Sequence, residues 1–343
     1  MRNNLRLYHT MTDQISKWLP NERITRVRNL ALLVTGLYLS RKVHLSLIAE
    51  EWHLPGKIPS LVNRLRRFLD NPRVSVPDYY RPVAESLVST FQGLPIRLIL
   101  DTTKLGFEAR LLVVSLAYRK RALPLAWSVH RGKKGWVAVE KQIALLQRVA
   151  ALIPADSEVW VLGDCEFQHV PLLSWLGKQG WHYVLRQQGR VQVWQPSRAQ
   201  VSLAGLGLKE GETRYLGWVR LAAKYHYGPV SMVLHWEEGE DEPWYLATDQ
   251  AATWRTIRVY KIRMWIEELY GDMKGHGFDL EKTYMRDLDR LSRLVLGVSL
   301  VYVWLIALGS WVVKNGKRHL VDRKDRRDKS YFRLGWSWLK RCL

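Results

Sequence analysis

Between residues 1 and 92 apolar positions recur three and four apart, the spacing of a buried helix face. ITRVRNLALLVTGLYLS and LSLIAEEWHL carry this period, and GKIPSLVNRLRRFLDNP sets Leu61, Leu65 and Leu69 against Arg64, Arg66 and Arg67. The texture changes near residue 95. IRLILDTTK is a short branched apolar run that ends, as a strand, at Asp101, and RLLVVSLAYRKRALPLAWSVHRG reads as two strands about a turn near Lys120 and Arg121. GWVAVEKQIALLQRVAALIP returns to helical spacing, and SEVWVLGDCEF is a buried-type strand ending at Gly163-Asp164. VPLLSWLGKQG is a helix with a glycine stop, and WHYVLRQQG a fifth strand. The order is β-β-β-α-β-α-β.

From 189 to 252 the chain is strand-like and rich in Gly and Trp (Trp194, Trp218, Trp236, Trp244), with a turn signal at EEGEDEP. A long helix follows, and then Leu294 to Val313, twenty residues without a charge. That segment is long enough to cross a bilayer, but basic residues flank it on both sides and no second segment resembles it, so a buried core helix is expected and no membrane partner. The tail, 316–343, is basic, and its Arg/Lys/Asp block is expected to be exposed and mobile. A mixed sheet with one carboxylate on its first strand and another after its fourth has the pattern of a ribonuclease-H-like α/β core. The expected layout is a helical, DNA-binding 1–92, a core split into 93–188 and 253–315, a β-rich insertion at 189–252 and the tail.

Charge narrows the function. The 343 residues carry 53 Lys and Arg against 32 Asp and Glu, a formal net charge of +21. Such an excess suggests a polyanion, nucleic acid before membrane. The basic face of the N-terminal helices fits DNA binding, and fits a solvated surface equally well. Two cysteines exclude a disulfide framework or a zinc cluster and suit a reducing cytoplasm; the first residues lack the apolar core of a signal peptide.

The chemistry concentrates in YKIRMWIEELYGDMK, Tyr260 to Lys274. On one continuous helix Tyr260, Arg263, Glu267 and Lys274 would fall within about 60° of one another, away from an apolar arc of Ile262, Trp265, Ile266, Leu269 and Met273. Glu268 would point about 100° away from Glu267, to be solvated or salt-bridged. Asp101, Asp164 and Glu267, from distant segments, could then meet at one sheet edge as oxygen ligands for hard divalent cations. Two such ions suit phosphodiester displacement. Taken singly, each acid has an ordinary reading: Asp101 a turn or cap, Asp164 a strand-end Asx turn, Glu267 an i,i+4 partner of Arg263.

Tyr260, Arg263, Glu267 and Lys274 match Y-x2-R-x3-E-x6-K at every spacing, and the sequence resembles the DDE transposases of the insertion-sequence-four family. The first two acids fit in LILDTTK and WVLGDCEF. The resemblance implies a ribonuclease-H-like core with a β-rich insertion. It implies cleavage at transposon ends through a DNA hairpin, then strand transfer into target DNA, with Asp101, Asp164 and Glu267 as catalytic residues holding two Mg²⁺ or Mn²⁺ ions. It also implies DNA contacts from Tyr260, Arg263, Lys274 and Arg186 (in YVLRQQ), and a tryptophan that stacks on a flipped base. WYLATDQ places that role on Trp244, with Trp236 as the substitute and plain core packing as the other reading. The implied partners are double-stranded DNA, as terminal inverted repeats and target, and a second copy of the chain, in the bacterial cytosol at the nucleoid. The alternative is a transposase-derived DNA-binding protein without catalysis.

Overall fold

The computed structural model describes residues 2–52, 56–106, 108–132, 136–195, 198–222 and 224–343. Five helices come first: α1 (Arg2–Trp18), α2 (Ile24–Ser40), α3 (Leu45–Glu50), α4 (Ile58–Asp70) and α5 (Val76–Ser89). α2 is apolar on every side over Leu30–Tyr38 and is buried there, packed between α1 and a long helix from the other end of the chain. Pro at the start of α4 and of α5 suits a first turn whose N–H groups have no intrahelical partner.

Strands β1 (Ile96–Leu105), β2 (Ala109–Tyr118) and β3 (Arg121–Arg131) form an antiparallel meander. The β2–β3 turn is Arg119-Lys120, with φ of 48° and 62°. Two left-handed residues give the hairpin turn whose twist matches that of the strands it joins. Helix α6 (Val139–Ala150) leads to β4 (Val159–Gly163), and α7 (Val170–Lys178) to β5 (His182–Gln187). β1, β4 and β5 are parallel neighbours, so their helices cover the sheet and the strands are apolar on both faces. The expected strand and helix order is thus the observed one, but β1 continues four residues past Asp101, which lies inside the strand and not at its end.

The 189–252 region supplies β6 (Gln192–Gln195), β7 (Arg198–Ser202), β8 (Thr213–Leu221), β9 (Tyr227–His235) and β10 (Trp244–Thr248). β10 pairs antiparallel with β5, and β9 with β10, so these strands prolong the sheet. Among the described residues it has ten strands, in the order β3-β2-β1-β4-β5-β10-β9-β8-β6-β7.

Helix α8 (Trp254–Lys261), a 3-10 turn (Ile262–Met264) and α9 (Trp265–Met273) follow, then α10 (Leu288–Lys314) and α11 (Tyr331–Cys342). α10 is long and apolar enough to cross a membrane, but 78% of its apolar window is buried inside the fold, against α2, α4, α5, β3 and α11. The tail departs from expectation. Its 323–328 block is exposed, but α11 docks on α10 and buries Phe332, Leu334, Trp336 and Leu339 in the fold. The two helices touch at glycines: a Cβ on Gly335 would stand 1.9 Å from the Leu305 carbonyl oxygen, and one on Gly309 1.9 Å from that of Tyr331.

Candidate active site

The register of β1 with β4 builds the first half of the site. Leu100 pairs with Gly163, so the next residues, Asp101 and Asp164, leave the parallel strand pair side by side. Asp164 ends its strand by capping a 3-10 turn, its Oδ1 accepting the Glu166 N–H at 2.9 Å, which leaves Oδ2 available. α9, packed against β1, brings in Glu267.

All three carboxylates converge on one cation, the guanidinium of Arg263. Its Nη2 lies 2.5 Å from Asp101 Oδ1 and 3.5 Å from Asp164 Oδ2, and its Nη1 lies 3.5 Å from Glu267 Oε1. The acids form a gradient, with side-chain exposures of 6% for Asp101, 38% for Asp164 and 55% for Glu267. Burial pushes the Asp101 carboxyl up to about 7; Arg263 pulls against this, while the Asp164 and Glu267 charges add to it. Burial works against the charge of Arg263 too, but Asp101 and Asp164 beside it raise its pKa above the ordinary value.

Tyr260, Arg263, Glu267 and Lys274 do not ride on one helix. The 3-10 turn at Ile262–Met264 winds tighter than an α-helix and shifts the phase between α8 and α9. Arg263 and Glu267 still meet across four residues, but Tyr260 belongs to α8 and Lys274 is the C-cap of α9, with φ −98° and ψ −123°. Of the apolar arc, Ile266, Leu269 and Met273 are buried and Ile262 and Trp265 half-buried. Lys274 turns onto β1, donating to Thr103 Oγ1 at 2.8 Å and pairing with Glu281 at 2.5 Å. Glu268 points elsewhere, to Arg121, which also holds Asp272 at 3.3 Å.

The remaining candidates line the strip toward β10. Tyr260 is 2% exposed, and the Trp244 ring meets it edge-on at a centroid distance of 5.1 Å. Lys261 Nζ lies 5.9 Å from the Trp244 centroid. Arg186, near the end of β5, donates to Glu242 at 2.7 Å and to the Pro243 carbonyl at 3.1 Å. Trp236 donates its indole N–H to the Glu240 carbonyl at 2.8 Å.

Two contributors escaped the sequence reading. Glu166, buried two residues after Asp164, accepts from the Val137 N–H at 2.8 Å and the Thr102 hydroxyl at 3.0 Å, and meets Arg110 at 3.3 Å. It thereby ties the Asp164 turn to β1 and β2. Burial raises its pKa, against these hydrogen bonds and Arg110. Tyr270, one turn beyond Glu267, buries a hydroxyl beside Asp101 that no partner among the described residues reaches at hydrogen-bond geometry. Spacing from Asp164 or Glu267 gave the only hint of either residue.

The donor set fits a hard divalent cation: three carboxylates, one of them deep and two open to solvent, around a position already held by positive charge. As placed they enclose the guanidinium, and among the described residues no three acidic, His or Cys side chains form a coordination set.

Residues 111–304 match the family described as the transposase DDE domain. No curated protein sequence matches the chain. Among solved structures the chain is similar to the cryo-EM structure of a piggyBac transposase synaptic complex with hairpin DNA, at 9% identity, covering 97% of this chain and 77% of that one, with a TM-score of 0.48. Since the matched residues make up more than half of the chain and contain Asp164, Arg263 and Glu267, the protein belongs to the DDE transposase family.

Proposed function

We propose that the chain is an active cut-and-paste DNA transposase of the insertion-sequence-four type. Asp101, Asp164 and Glu267 hold divalent metal, two Mg²⁺ or Mn²⁺ ions, at the ends of the element. Bound there, the ions would activate the attacking oxygen and offset charge on the leaving one. The observation that carries this reading is the convergence of three carboxylates, from β1, from the turn after β4 and from α9, on a single cation. The order β3-β2-β1-β4-β5, with β2 antiparallel, supports a ribonuclease-H-like core. We assign 1–92 to DNA binding, 93–188 and 253–315 to that core, 189–252 to the insertion and 316–343 to the basic tail.

The chain's own groups divide the work. Asp101 is set by β1 inside the fold, so its oxygen position is fixed before substrate arrives. Glu166 braces the Asp164 turn. Lys274 on Thr103, with Arg263 and Arg186, offers positive charge for the phosphates of the transposon end, and Trp244 offers a ring on which an extruded base can stack. A hairpin at the cleaved end, strand transfer to target DNA and a homodimer acting on paired ends complete the proposal.

The test is metal-dependent nicking of DNA that carries the inverted repeats flanking the gene. Glu267→Ala should abolish nicking and leave end binding intact. Nicking retained in that variant would sink the assignment.

A further inference from the structure

The cation at the centre of the three acids belongs to the chain. We propose that Arg263 is an internal counter-ion, holding Asp101, Asp164 and Glu267 together in the DNA-free protein and leaving them when a DNA phosphate takes its guanidinium, so that metal binding is coupled to DNA binding. This rests on the reading of the three acids as metal ligands.

The geometry supports the exchange. Arg263 touches all three carboxylates, at 2.5, 3.5 and 3.5 Å, so the guanidinium and a metal ion ligated by the same oxygens exclude each other. Three carboxylates drawn this close repel one another unless a positive charge lies among them, and Arg263 supplies it. Its hold is incomplete: only the Asp101 contact is short, and among the described residues the buried Nε has no partner. A phosphate can match the same planar fork with two parallel hydrogen bonds. Arg263 also sits in the 3-10 turn joining two helices, a tight local geometry that a small backbone change can convert. The acids on its open side, Asp164 and Glu267, are 38% and 55% exposed, so a phosphate can approach from there. The result is a nuclease that assembles its metal site on its substrate and leaves it closed elsewhere. Coupling is reciprocal, so metal should tighten end binding by the same factor.

The experiment is a Mn²⁺ titration of the full chain at pH 8, read by the electron paramagnetic resonance of free Mn²⁺, for wild type and Arg263→Gln. Without DNA, Arg263→Gln should bind Mn²⁺ at least ~10-fold tighter than wild type, within the usual range of coupling between sites. Wild type should gain a comparable factor when a short duplex from the DNA flanking the gene is added. That second comparison stands alone if circular dichroism shows Arg263→Gln to be unfolded. Wild type binding Mn²⁺ equally tightly with and without the duplex overturns the exchange and leaves the metal reading intact. Binding no stronger than in an Asp101→Asn, Glu267→Gln control, under every condition, overturns the metal reading as well.

Discussion

Replacing Asp101 by Asn should abolish cleavage and stabilise the fold, by an amount that grows as pH rises from the ordinary carboxylate range to neutrality and is greatest above it. Burial raises the folded-state pKa of Asp101 from 3.8 to about 7. Between those values the folded chain binds more proton at Asp101 than the unfolded chain does. Stability therefore falls as pH rises through this window, and the loss is complete above it. Three pH units correspond to about 4 kcal/mol, an upper figure because the fold relaxes around a buried charge. Asn imitates the protonated acid, so the variant escapes the loss. Arg263 keeps Asp164 and Glu267 as partners. Asp272, which burial raises to about 6 against the pull of Arg121, contributes with the same sign in both proteins and cancels in the difference. Thermal unfolding without metal, followed by circular dichroism from pH 5 to pH 8.5, should show Asp101→Asn melting several degrees above wild type at the alkaline end, with the gap closing toward the acid end. A variant that melts below wild type at pH 8, or a gap independent of pH, would refute the account of Asp101 as a carboxylate held at a cost to stability.

Other outcomes follow from neighbouring contacts. Glu166→Ala leaves the Val137 N–H, the Thr102 hydroxyl and Arg110 without their acceptor and should cost about 2–4 kcal/mol in urea unfolding, whereas Glu166→Gln should recover most of it. Gly335→Ala drives a methyl group into the Leu305 carbonyl and should lower stability by about 1–3 kcal/mol, with faster tryptic cleavage in the 323–327 basic block as α11 loosens. If Trp244 stacks on an extruded base, Trp244→Ala should weaken binding of hairpin-ended DNA by about 1–3 kcal/mol, measured by fluorescence anisotropy, and Trp236→Ala should change it little.

The strands and helices of the core were legible because each kept one period: alternating or continuous apolar residues in the strands, three-and-four spacing in α6 and α7. The tail helix was legible in principle, since Phe332, Trp336 and Leu339 recur at four and three, but the charged block before it dominates the composition of the segment. The break at Ile262–Met264 left no mark, because no Gly or Pro signals it and the apolar spacing runs through. The role of Arg263 was the least legible. Beside Glu267 in the sequence it looks like a group free to meet phosphate, since its shortest contact, Asp101, lies 162 residues away. Local spacing reports helical neighbours; a charge brought in by strand register is visible only once β1 and β4 are paired. That register, Leu100 on Gly163, is what turns three separately ordinary acids into one site. It also makes Arg263 their common partner, so the residue that the family resemblance assigns to DNA is held in this structure by all three acids.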